Sequence, residues 1–166
     1  MDWIKVPMRY LPKALNKKDR STQSKQLAKS RRLYKKGKFH TRKRVASFVS
    51  KPSGHVQNAR KIYGVDTMTP NQELSRATGC SVSTLKKIVS KGEGAYFSSG
   101  SRPNQTAQSW GLARLASSLT GGKAAAVDFD ILDKGCDHKK KAFRMAKTAK
   151  RKYGKGHSGA KKIIIL

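Results

Sequence analysis

The side chains most able to do chemistry fall in short cationic clusters: Lys17-Lys18, Arg31-Arg32, Lys35-Lys36, Arg42-Lys43-Arg44, Lys139-Lys140-Lys141 and Arg151-Lys152. Guanidinium and ammonium groups at this density suit phosphate contact with release of counterions, and they suit acidic protein surfaces equally well. Nothing in their spacing encodes a base. A second group is Ser98, Ser99, Ser101, Arg102, Asn104 and Gln105, whose hydroxyls, amides and guanidinium could hold a phosphate. The plainer role for such a loop is to satisfy its own backbone, and it is preferred because no GK[ST] accompanies the glycines.

Groupings for catalysis or metal binding are poor. Cys136-Asp137-His138 is too tight for a zinc site, and Cys80 has no ligand spacing to His40, His55 or His157. Asp128, Asp130 and Asp133 share a segment, but Asp128 and Asp130 point to different sides of a helix. The expectation is a chain without catalytic residues, cofactor, metal or small-molecule substrate.

Glu73 to Val89, ELSRATGCSVSTLKKIV, has the layout of a helix-turn-helix. Leu74 and Ser75 sit in the first helix, Gly79 takes the turn, Cys80 fills the apolar place after it, and Leu85 and Ile88 face back. In that docking mode Ser81, Val82, Ser83 and Lys87 look into the major groove of duplex DNA and Lys86 toward a phosphate. An αα-hairpin that merely packs has the same spacing, so both readings stand. The polyanion-binding set is therefore Arg42, Lys43, Arg44, Ser81, Ser83, Lys86, Lys87, Arg102, Lys139, Lys140 and Lys141.

Charge sets the class of partner. The 166 residues carry 38 Lys and Arg against 9 Asp and Glu, a formal charge of +29. Such a charge repels itself in a compact state and calls for a polyanion or an acidic surface. Residues 1–64 hold +17, residues 65–121 +3 and residues 122–166 +9, so the middle is nearly neutral and the flanks carry the field. Two cysteines do not make a disulfide framework, and a reducing compartment is their simplest home. MDWIKVPMRYLP has no apolar run fit for a signal peptide, and no stretch reaches the ~20 apolar residues of a membrane span.

The secondary structure that carries these groups is expected to be mainly helical. Trp3, Ile4, Val6, Met8, Tyr10 and Leu11 form an extended apolar anchor. Asn16 caps a helix with Asp19 three residues on and Gly37 as its stop; its apolar positions, chiefly Leu27, Ala28, Leu33 and Tyr34, are too sparse to dock unaided. Residues 38–51 suit either a short helix or a strand. Ser53 caps a helix that stops at Gly64, Thr69 caps another with Pro70 in its first position, and Ser81 caps a third ending at Gly92. Gly94 to Gly100 reads as a short extended piece entering a tight loop. Asn104 or Thr106 caps a helix over residues 107–119, whose Trp110, Leu112, Leu115, Ala116 and Leu119 make the packed centre. Gly111, Ala113, Ala116 and Ser117 allow another backbone close. A helix over 123–134 keeps its aspartates mostly outward, Asp137 caps a last basic helix over 138–153, Gly154 and Gly159 loosen the tail, and Ile163, Ile164, Ile165 and Leu166 need burial.

The expected fold is a small mainly α domain with a helix-turn-helix-like hairpin and extended basic N- and C-terminal arms. Residues 1–64 form the N-terminal arm and helices, 65–153 the core (hairpin at 69–92, Gly/Ser-rich loop and Trp helix at 93–122), and 154–166 the tail.

GAYFSSGSRPNQTAQSWGLARLASSLTGGKAAAVD resembles an uncharacterised small basic domain of large icosahedral double-stranded DNA viruses and some phages. YLPKALNKKDR, SRRLYKKGKF and TGCSVSTLKKIV are similar to the same family, so the likeness spans most of the chain; Phe97 stands where a second tyrosine is expected. The resemblance carries no activity. It implies a virion setting, with host cytoplasm or virus factory during assembly, and other capsid proteins as partners. Two functional expectations follow: a non-enzymatic virion protein, minor capsid or capsid-associated, bridging capsid components or shell and genome; or a helix-turn-helix-type protein that binds or condenses duplex DNA.

Overall fold

A computed structural model describes residues 4–155 and 161–165; Trp3, His157, Gly159 and Leu166 lie outside them. The fold is mainly α, with eight helices and one two-stranded sheet among the described residues. The chain forms two compact units, one from residues 1–51, 93–110 and 159–166, the other from 52–92 and 111–158.

In the first unit, β1 (Ile4–Pro7) pairs antiparallel with β2 (Lys162–Ile165), Ile4 opposite Ile165 and Val6 opposite Ile163. Alternation buries Val6 and Ile165 and leaves Ile164 exposed, so the apolar ends of the chain cover each other. α1 (Lys17–Lys35) starts where expected, with Asn16 Oδ1 accepting the Asp19 N–H at 2.8 Å. Its inward face is Gln23, Leu27 and Ser30, a polar row with one large apolar residue. It docks through side-chain bonds as well as burial: Gln23 Nε2 donates to the Tyr10 carbonyl and Ser30 Oγ to the Phe97 carbonyl. Residues 38–51 are neither helix nor strand. The stretch expected to be a basic arm has a core of its own, made of Val6, Tyr10, Leu11, Leu15, Leu27, Val45 and Ile165.

The second unit begins with α2 (Gly54–Tyr63), capped by Ser53 and closed by left-handed Gly64. α3 (Gln72–Thr78) is capped by Asn71, whose side chain accepts the Leu74 N–H at 2.9 Å, so Thr69 and Pro70 stand before the helix. α4 (Val82–Ser98) does not stop at Gly92. It runs on through Gly94, and the piece expected to be extended is helix. The reason is packing: a Cβ at Gly92 would fall 2.6 Å from Gly111 Cα, so the two glycines mark where α4 meets α5 (Ala107–Leu119) backbone to backbone. Thr106 caps α5, its Oγ1 accepting the Ser109 N–H.

The expected helix over 123–134 is broken into α6 (Lys123–Val127) and α7 (Phe129–Gly135) at Asp128, whose side chain is buried rather than outward. α8 (Lys141–Tyr153) begins three residues later than expected: Asp137 Oδ1 accepts the Lys139 N–H in a turn ahead of the helix. Leu74, Leu85, Ile88, Leu115, Leu119, Leu132, Phe143 and Ala146 make the core.

Candidate nucleic-acid interface

Within the second unit, the α3–α4 turn is three residues long, Gly79-Cys80-Ser81, with Gly79 left-handed at φ 79°. Several bonds fix it. Thr78 Oγ1 accepts the Cys80 N–H, the Ser81 N–H donates to the Gly135 carbonyl at 2.9 Å, and the Asp137 N–H donates to the Gly79 carbonyl at 2.8 Å. Cys80 and Cys136 form a disulfide across an isolated antiparallel bridge, where two cysteines in a reducing compartment are expected to make no disulfide framework. A pair 56 residues apart gives no local signal; the packing of the α7–α8 junction against the turn brings the sulfurs together.

This clamp gathers cations. The aliphatic stem of Lys140 lies over Gly79, where a Cβ would meet Lys140 Cγ at 2.5 Å, and this carries Lys139, Lys140 and Lys141, all exposed, beside the turn. Ser81, Ser83 and Lys87 line one open recess of about 340 Å³ with Thr84, Asp130, Ile131, Lys134 and Gly135. Lys86 is exposed but is not among the lining residues. Gly135 is what lets α7 come this close, since a Cβ there would overlap Thr84 Oγ1. The consequence for docking is specific. The face of α4 that would read bases is walled on one side by α7, so it forms a recess with hydroxyls and two lysines rather than a free recognition ridge. Asp130 in the wall, with Asp133 paired to His138 at 3.1 Å, limits the local positive potential. Lys134 is absent from the expected binding set because its place beside α4 depends on the break between α6 and α7 at Asp128, which no local signal marks.

In the first unit Lys43, Arg44 and Arg102 are exposed and available to a polyanion. Arg42 is not, a correction to the binding set. It is 6 % exposed, and its guanidinium donates to the Tyr96 carbonyl at 2.7 Å, Ser30 Oγ at 2.9 Å and Ser101 Oγ at 2.8 Å while lying 3.8 Å from the centre of the Tyr96 ring. Burial lowers its pKa, but a guanidinium keeps its proton all the same. The serine-rich loop is spent on similar internal bonds. Ser101 holds Arg42, Asn104 accepts the Val45 N–H and donates to the Val45 and Phe48 carbonyls, and Gln105 donates to Ser50. Asn104 does so from a left-handed φ of 63°. The loop is the latch for residues 42–50.

No helix among the described residues is long and apolar enough to cross a membrane, and no cluster of three or more His, Cys, Asp or Glu able to hold a metal occurs among them. No curated protein and no solved structure matches the chain. A family model, described as a family of unknown function (DUF5824), matches residues 7–137, from the last residue of β1 to the α7–α8 junction. The chain belongs to that family.

Proposed function

We propose that this protein is a non-enzymatic, nucleic-acid-binding structural protein that neutralises phosphate backbone without reading sequence. The observation that carries the reading is the gathering of Ser81, Ser83, Lys87, Lys134 and the Lys139–Lys141 run around one covalently clamped turn. Both units support it: the first holds 20 basic residues against 3 acidic, the second 18 against 6. Hydroxyls and ammonium groups around a recess suit phosphate oxygens, whereas the α7 wall argues against deep seating of α4 in a major groove. The resemblance to proteins of large DNA viruses supports a virion setting, with the chain between shell and genome.

The test is a salt titration of binding to a duplex of mixed sequence. Affinity should fall steeply with salt, with a log–log slope of about −0.9 per phosphate contact, and should differ little between sequences of equal length. Lys87→Ala and Lys134→Ala should each flatten the slope by about 1. Salt-insensitive binding would remove this reading.

A second reading, a capsid-associated bridging protein, is favoured by the β1–β2 ribbon. Its strands pair only with each other among the described residues, and Arg31 caps β1 at the Lys5 carbonyl while β2 exposes Ile164. Retention of the chain by particles stripped of DNA would favour it over the first.

A further inference from the structure

In the first unit a row of rings ends in solvent. Phe39 is 70 % exposed, yet it is held: its ring centre lies 5.1 Å from that of Phe97 and 6.1 Å from that of Tyr34, itself 38 % exposed. Phe97 stands edge-on to Tyr96 at 5.1 Å and 87°. Tyr96 is fully buried, its hydroxyl accepts the Arg42 N–H, and the Arg42 guanidinium covers its ring. The row Arg42, Tyr96, Phe97, Phe39 is therefore closed by a cation at its inner end and opens to solvent at its outer end, where Phe39 and Tyr34 stand.

The sequence builds this end deliberately. α1 terminates with the Lys38 N–H donating to the Leu33 carbonyl and the Gly37 N–H to the Tyr34 carbonyl, with Gly37 left-handed at φ 74°. That reversal returns the chain over its own last turn and sets Phe39 beside Tyr34. Exposed Arg32, Lys35, Lys36 and Lys38 flank Tyr34 and Phe39 along the chain. The nearest acid in sequence is Glu93, one helical turn before Phe97 and half-buried.

An open aromatic face among ammonium groups matches a ligand that offers both a π-face and phosphates. Duplex DNA hides its base faces in the stack; an unpaired strand presents both. We propose that Phe39, with Tyr34 and Phe97, is a stacking platform for unpaired bases, so that the protein holds single-stranded segments of nucleic acid here in addition to backbone. The proposal rests on the nucleic-acid reading above and adds base stacking to it.

The experiment uses the full chain and four probes: oligothymidylate, an abasic oligomer of the same length, a duplex, and vesicles rich in phosphatidylserine. Phe39→Ala should weaken oligothymidylate binding about tenfold and leave the abasic and duplex affinities unchanged, and Phe39→Trp should match or exceed the parent. Because the ring is mostly in solvent, the variant should keep the parent's thermal midpoint. Unchanged oligothymidylate binding in Phe39→Ala, or an equal loss on all three nucleic acids, would overturn the platform while leaving backbone binding in place. A loss confined to vesicles would assign the rings to a membrane surface and overturn it too. Failure of the parent to bind any nucleic acid would remove both readings together.

Discussion

Arg114 grips Asp128 with two bonds, Nε to Oδ2 at 3.0 Å and Nη2 to Oδ1 at 2.7 Å, and Lys91 Nζ reaches the same carboxylate at 3.0 Å. Ser118 Oγ adds a fourth donor at 3.0 Å. Asp128, 1 % exposed, thereby ties α4 and α5 to the break between α6 and α7. Removing it should cost about 3 kcal/mol, toward the low end for a broken buried pair because Arg114 and Lys91 keep some contact with water. Burial pushes the carboxyl pKa up, but Arg114 and Lys91 outweigh burial and hold it below its usual 3.8. Its folded value lies under its unfolded one, so its contribution is complete above about pH 4 and drains away as the pH falls through the folded value. Denaturant midpoints of the parent and Asp128→Ala from pH 7 to pH 2 should converge at the acid end. A constant gap would refute the assignment.

Reduction of the Cys80–Cys136 bond releases a loop spanning 56 residues, for which chain entropy gives a loss of about 4 kcal/mol. Thermal midpoints with and without dithiothreitol, and for a Cys80→Ala/Cys136→Ala double variant, should fall together. Coincident curves would mean that the cross-link adds no stability.

Arg42 and Lys43 are neighbours with opposite duties. Arg42→Ala leaves the Tyr96 carbonyl, Ser30 and Ser101 without their donor and should destabilise the fold by about 3 kcal/mol, whereas Lys43→Ala should leave stability within about 0.5 kcal/mol and lower polyanion affinity. Urea melts beside binding isotherms decide it. Equal melts for the two variants would contradict the burial described.

Gly92→Ala puts a methyl group 2.6 Å from Gly111 Cα, in a place lined by backbone that cannot swing aside. A loss of about 2 kcal/mol is expected, against the small gain that Ala gives in an unconstrained helix. A variant as stable as the parent would show that α4 and α5 separate at no cost.

Local chemistry was legible in the sequence wherever one residue decides the outcome. Asn16, Ser53 and Gly64 end helices by bonds they make with their own neighbours, and the structure places them as caps. What depended on a distant partner was not legible. Gly92 looks like a stop until Gly111 is seen against it, and Asp128 looks like a solvent residue until Arg114 and Lys91 arrive from other helices. Within the binding set, Ser81, Ser83 and Lys87 do share a recess because α4 fixes their spacing. Arg42 was misplaced because a run of three cations carries no mark of which one turns inward.

The antiparallel register of Ile4 with Ile165 also orders events during synthesis. The second unit has all of its chain by residue 158, while β1 is still waiting for β2. At ribosomal speed β1 stays unmatched for roughly 10–30 s after it emerges. An N-terminal strand that must await its partner for nearly the whole of translation leaves the first unit open until residues 162–165 arrive.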